Sequence, residues 1–195
     1  FSRTAEIAVP VEYTGFVIRK APGAARQKQP GLIVASGGGS NVGRDLLAAA
    51  ILAVQRLDDR AIRLKAFTGP FMDDDDRSFL RRLAERDQRI EVKPFATDFL
   101  NELAGADLSI SMAGYNTCMD ILSSGVKALV YPFSQNREQT FRAKKLEQLG
   151  VLEVIESIDV ERLSASIAAK LHETETPRPT QPLHQDGAAS TLHLV

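Results

Sequence analysis

Residues 108–143 read LSISMAGYNTCMDILSSGVKALVYPFSQNREQTFRA. The apolar run Leu108-Ser109-Ile110 leads into a glycine turn, Ala113-Gly114-Tyr115-Asn116-Thr117. The turn opens a helix near Thr117 to Ser123, which would carry Asp120 on its first turn. A second apolar run, Ala128 to Tyr131, ends at Pro132, and a loop then opens another helix with Glu138-Gln139. Two successive strand ends therefore aim polar groups at one place. That layout suits a nucleotide diphosphate better than a packed core.

The same alternation extends in both directions. Leu32-Ile33-Val34-Ala35 precedes a helix from about Gly43 to Leu57, with Leu46, Leu47, Ala50, Ile51, Val54 and Leu57 at helical spacing. Ile62 to Phe67 reads as a strand, Arg77 to Arg86 as a helix, Ile90-Glu91-Val92 as a strand and Asp98 to Leu103 as a short helix. Beyond the opening stretch, the helix from Glu138 runs to Leu149, followed by a strand at Leu152 to Ile155 and a helix from Val160 to Leu171. The strands at Leu32, Leu108 and Ala128 lack polar alternation, as expected when helices cover both faces of a parallel sheet. The order predicts a Rossmann-like, doubly wound α/β domain over residues 30–173. Residues 1–29 read as a lead-in strand or interdomain linker, and 174–195 as a proline-rich tail with a short terminal helix. In such sheets ligands bind beyond the carboxyl ends of the strands, and every loop singled out below follows a strand.

The 195 residues suffice for one domain with a real core. A net charge of −1 gives no basic surface for nucleic acid. Cys118 is the only cysteine, which excludes an intrachain disulfide and fits a reducing compartment. The apolar runs are too short for a membrane span. The chain begins at Phe1 within what reads as structure, so a piece of a longer protein is expected.

Ser36-Gly37-Gly38-Gly39-Ser40-Asn41 joins the first strong strand to its helix. Glycines allow close backbone approach and positive φ, free helix-start amides favour an anion, and Ser40 or Asn41 could cap the helix. Three consecutive glycines exceed what a turn needs, which favours phosphate contact. Two familiar motifs fail here. Gly38 and Gly43 have P-loop spacing, but Arg44-Asp45 replaces the Lys and Ser/Thr that hold phosphate and magnesium. After Gly37 and Gly39, the third glycine of a dinucleotide fingerprint is Val42, and Asp58 or Asp59 precedes the second strand instead of ending it. An NTPase and a dehydrogenase are thereby excluded.

Asn116 or Thr117 could cap the next helix. Asp120 reads either as an acid favoured by the helix dipole or as a carboxylate accepting from two vicinal ribose hydroxyls. The run Asp73 to Asp76 precedes a helix rich in arginine and reads as helix-start charge, not as a metal site. His172, His184 and His193 have no cysteine partner at metal-ligand spacing. Cys118 reads as a small buried hydrophobe.

SMAGYNTCMDILSSGVKALVYPF followed by EQTFRAKKLEQLG resembles the C-terminal half of GT-B glycosyltransferases, in the group (family 28) that includes the lipid II N-acetylglucosaminyltransferase. The GGGSN loop and Tyr13-Thr14-Gly15-Phe16 fit the same pattern, and the resemblance covers about Tyr13 to Ile155. It implies a domain that binds a nucleotide-sugar donor, a UDP-sugar in the leading reading, for inverting transfer of a hexosyl group. Carried over by position, Gly38, Gly39, Ser40 and Asn41 would hold the diphosphate, with Gly114, Tyr115, Asn116 and Thr117 beneath it. Asp120 would take the ribose, Phe95, Ala96 and Thr97 would flank the base, and Glu138 and Gln139 would meet the sugar. Asp120 is shorter than the family's glutamate, Glu138 replaces a glutamine, Met112 stands where arginine is common, and Lys127 where proline is usual.

The resemblance further implies that the general base and most of the acceptor pocket come from an N-terminal domain outside this chain. It implies no metal or other cofactor, a cytoplasmic location, and membrane association only through that other half. Alternatives on the same architecture are a nucleotide-sugar 2-epimerase and a non-catalytic nucleotide-sugar-binding subunit.

Overall fold

The computed structural model describes residues 6–19, 27–38, 43–133 and 135–194. Five strands of four or five residues and one of two form a single sheet: β1 (Leu32–Ser36), β2 (Arg63–Phe67), β3 (Ile90–Lys93), β4 (Leu108–Met112), β5 (Lys127–Tyr131) and β6 (Glu153–Val154). Their spatial order is β3-β2-β1-β4-β5-β6, and every pair is parallel. Helices α1 (Arg44–Gln55), α2 (Asp74–Ala84), α3 (Phe99–Gly105), α4 (Tyr115–Ser124), α5 (Arg137–Gln148) and α6 (Val160–His172) fill the crossovers and follow the last strand, and α7 (Gly187–Leu194) ends the described tail. The doubly wound parallel sheet expected from the sequence is present.

Alternate residues of each central strand enter two separate cores. Ile33, Ala35, Ile110 and Leu129 pack with α1, α2 and α6 through Leu47, Ile51, Leu80 and Ile167. Val34, Ala128 and Val130 face the other way, toward Leu103, Met119, Ile121 and Leu146 of α3, α4 and α5. Burial on both faces explains why β1 and β5 carry apolar residues without alternation. The strand order reverses between β1 and β4, and that reversal creates a crevice at their carboxyl ends.

Several boundaries differ from the sequence reading. Helix α2 begins at Asp74, three residues before the expected Arg77, because the aspartates are themselves its first turn, where the dipole favours them. Strand β6 shrinks to two residues at the sheet edge. The lead-in and tail meet: Phe16 N donates to His184 O at 2.8 Å, Gly187 N donates to Phe16 O at 3.0 Å, and Val17 forms an antiparallel bridge with Asp186. Gly187 sits so close to Gly15 O that an added Cβ would lie 2.7 Å from it, which accounts for glycine there.

Candidate functional site at the β1/β4 crevice

The loop after β1 is pinched at its base. A Cβ on Gly43 would lie 2.2 Å from Gly37 Cα, so the two backbones touch where side chains cannot fit. Gly37 N donates to Phe67 O at 3.0 Å, and Gly38 adopts φ +80° with its N–H on Ser36 Oγ at 3.2 Å. Gly38 is thus set by its positive φ, and Gly37 is closely hemmed, an added Cβ lying 3.2 Å from Leu47 Cδ1, so two of the three glycines serve the loop itself and weaken the inference from three glycines to phosphate. Gly39, Ser40 and Asn41 lie outside the described residues, and so does any cap they supply; the described cap of α1 is Gly43, with no side-chain hydrogen bond.

The loop after β4 is also started by glycine. Gly114 is the extended residue before α4, and its carbonyl accepts from Cys118 N at 3.0 Å. Neither Asn116 nor Thr117 caps this helix, contrary to expectation; both lie inside its first turn, and no side chain among the described residues closes the end. By helix geometry the first-turn amides, from Tyr115 to Thr117, lack intrahelical acceptors. The contrast with α3, α5 and α6 is direct: Asp98, Asn136 and Asp159 each accept from a first-turn N–H of the helix that follows them.

The early helix start moves Asp120 to the second turn, not the first. It is buried, with its side chain 5% exposed, and both oxygens are engaged by Arg19 of the lead-in: Nε to Oδ1 at 3.2 Å and Nη2 to Oδ2 at 2.5 Å. The hydrogen bond to Asp120, opposed by burial and helped by the charges of Asp120 and Asp98, holds the Arg19 guanidinium above its ordinary range. Ser123 Oγ donates to Arg19 O at 2.6 Å, and Val17 N donates weakly to Tyr115 Oη at 3.4 Å, so the lead-in lies along α4. Between them is a cavity of about 380 Å³ lined by Val17, Ile18, Arg19, Tyr115, Asn116, Met119 and Asp120.

The β5–α5 loop closes the third side. Asn136 Oδ1 accepts from Gln139 N, and Gln139 Oε1 accepts from Phe133 N, both at 3.1 Å. Gln139 therefore spends its carbonyl on shaping its own loop and keeps only its NH₂ for a ligand. Glu138 is exposed and pairs with Arg142 one turn on. Arg142 reaches back to Ala113 O at 3.2 Å and stacks over Tyr115 at 5.2 Å, tying α5 to the glycine turn. Phe95, Ala96 and Thr97 follow β3 on the same sheet edge, with Phe95 59% exposed.

Sequence reasoning missed Arg19 and Arg142. The i,i+4 spacing of Glu138 and Arg142 was a usable signal; a contact spanning 101 residues, as between Arg19 and Asp120, left none. Met112, at the position where arginine is common, is buried with its Cβ beside Gly38. Lys127, where proline is usual, is buried at the opposite sheet edge against Asp107 at 2.9 Å, and it donates to Glu173 O at 3.0 Å. A larger cavity of about 860 Å³ lies at that far edge, but Lys127 and Lys170 in its wall are neutralised by Asp107, Glu153 and Glu173. It is remote from the crevice.

Asp76 lies 3.0 Å from Arg44, and Asp74 lies 3.5 Å from Arg77, as expected of helix-start charge. Among the described residues no group of three His, Cys, Asp or Glu could hold a metal ion, and no helix is long and apolar enough to cross a membrane. Cys118 is fully buried, and burial pushes its thiol up to about 11.

Residues 33–192 match the model of the glycosyltransferase family 28 C-terminal domain. The chain is 28% identical over 143 residues to the UDP-N-acetylglucosamine–N-acetylmuramyl-(pentapeptide) pyrophosphoryl-undecaprenol N-acetylglucosamine transferase of Sinorhizobium medicae, covering 71% of this chain and 38% of that protein. It is 32% identical over 106 residues to the enzyme of the same name from Hahella chejuensis, covering 52% and 28%. The matched stretch thus spans well under half of these relatives. Among solved structures, MurG of Acinetobacter baumannii superposes with a TM-score of 0.58 at 19% identity over 86% of this chain and 50% of that one. The spinosyn rhamnosyltransferase SpnG gives 0.57 at 20% identity over 94% and 45%. Such distant likenesses establish the fold alone, whereas the family match covers most of the sequence: the chain belongs to the glycosyltransferase family 28 C-terminal domain family.

Proposed function

We propose that the β1/β4 crevice binds the nucleoside diphosphate of a nucleotide-sugar, a UDP-sugar by preference, and that the whole protein transfers its hexosyl group to an acceptor. The observation that carries this reading is the pair of helices α1 and α4. Both point their starts at the crevice, and among the described residues neither start carries a side-chain cap. First-turn amides with the positive end of the helix dipole favour a diphosphate. As the sugar leaves, charge develops on that diphosphate, and amides already in place stabilise it without a bound metal.

Asp120 is the proposed ribose acceptor. An ionised carboxylate offers about four lone-pair directions; Arg19 uses two, so the ribose hydroxyls take the others or displace one guanidinium contact. Gly39, Ser40 and Asn41 are proposed to complete the phosphate cradle with Gly38. Phe95 to Thr97 would flank the base, and Glu138 with the Gln139 NH₂ would meet the sugar. An N-terminal domain supplies the general base and acceptor pocket, together with any contact to a membrane from the cytoplasmic side. The chain alone therefore binds donor weakly and does not turn it over. Thermal-shift titration with UDP, GDP, dTDP and their sugars tests this; a melting temperature unmoved by all of them removes the reading.

A further inference from the structure

Two buried hydroxyls at the crevice stand in different states. Ser36 ends β1, and its Oγ accepts the N–H of Gly38 at 3.2 Å. Ser111 on β4 is in register with Ser36, fully buried, and its Oγ has no hydrogen-bond partner among the described residues. Paired residues of neighbouring parallel strands project to the same face with backbones about 4.8 Å apart. Both serines share that face with Val34 and Val130. A buried unpaired hydroxyl is costly. Ser109 Oγ, on the same face but opposite Val34 and Ala128, is also without a partner among the described residues, so of the two only Ser111 is in register with another hydroxyl.

We propose that Ser111 is a positioning residue for the anion site, resting on the donor reading above. Without ligand, Ser36 Oγ occupies the Gly38 N–H. When a diphosphate arrives, that N–H turns to the anion and Ser36 rotates its hydroxyl onto Ser111 Oγ. The crevice gains one amide donor, and no buried hydroxyl is stranded. Ser111 never touches the ligand; it takes over the partner that Gly38 gives up. A hydroxyl needs only a χ1 rotation between staggered wells for this exchange.

The test is a double-mutant cycle read by calorimetry with UDP and with inorganic pyrophosphate on the 195-residue chain. Ser111→Ala is expected to weaken both ligands roughly three- to tenfold, the worth of one neutral hydrogen bond. Its melting temperature without ligand should be unchanged or raised, since an unpaired buried polar group has gone. In a Ser36→Ala background, Ser111→Ala should cost nothing further, because its partner is absent. The Gly38 amide proton should move downfield with ligand in the wild type and less in Ser111→Ala. Equal affinity of Ser111→Ala and wild type, or additive effects of the two substitutions, overturns the role of Ser111 while leaving the donor site standing. No binding of either ligand to the wild type removes both.

Discussion

Arg19 and Asp120 form a two-point ion pair across 101 residues, at 3.2 and 2.5 Å, that fastens the lead-in to the second turn of α4. Asp120 is buried, and Arg19 is its counter-charge; the Arg19 side chain is 61% exposed. Water therefore screens the pair from one side, and its coupling should be modest. A cycle of Arg19→Ala and Asp120→Asn in urea melts is expected to return about 1 kcal/mol of coupling. Strict additivity would mean that the lead-in is not held there.

Backbone contact at the base of the β1–α1 loop makes Gly43 the least open to change of the described glycines. Gly43→Ala drives a methyl into Gly37, at 2.2 Å from its Cα, and should cost about 2 kcal/mol or more as the loop opens. Gly114→Ala meets nothing nearer than Thr117 Oγ1 at 3.7 Å, at an ordinary φ, and should cost only about 0.5 kcal/mol as a poorer cap. Chemical melts of the two variants check the contrast; equal losses would contradict the pinched loop.

A second arginine governs the opposite edge. Arg89 donates to Val54 O, Leu57 O and Asp59 O at 2.7–2.9 Å, closing the end of α1, and it pairs with Asp87 at 2.6 Å. Its hydrogen bonds hold the Asp87 carboxyl below its ordinary 3.8. A depressed carboxylate stabilises the fold fully above its unfolded pKa and loses that contribution as pH falls through the folded value. Asp87→Asn should therefore cost about 2 kcal/mol near pH 7 and progressively less below pH 3.8, measured by melts across pH. A cost that stays constant with pH would deny the ion pair.

Cys118 should not react with thiol reagents at pH 8 in the native state, since its thiol is buried and titrates near 11. Denaturant should release one reactive thiol per chain. Rapid native labelling would place Cys118 at the surface.

The sheet was legible because its central strands are buried on both faces and leave uninterrupted apolar runs, as in Leu32 to Ala35. Helix starts were harder to place. The Asp73 to Asp76 run looked like a prelude to α2, but only Asp73 precedes the helix and Asp74 to Asp76 are its first turn, because acids satisfy the dipole as readily inside the helix as before it. Asn116 and Thr117 looked like caps, but Gly114 in extended geometry begins the helix earlier, which carries Asp120 one turn deeper. The crevice loops themselves were visible as glycine clusters following strands. The side chains that hold them, Arg19 on Asp120 and Arg142 on Ala113, depend on contacts that local spacing does not encode.

The central claim is a nucleoside diphosphate site at β1/β4 with Asp120 in it, and isothermal titration of the chain with UDP tests it most directly. Saturable binding is expected, weakened about tenfold or more in Asp120→Ala, the loss of a hydrogen bond to a charged group. A melting curve should show that variant still folded. No heat with UDP, or the same affinity in Asp120→Ala, would contradict the account.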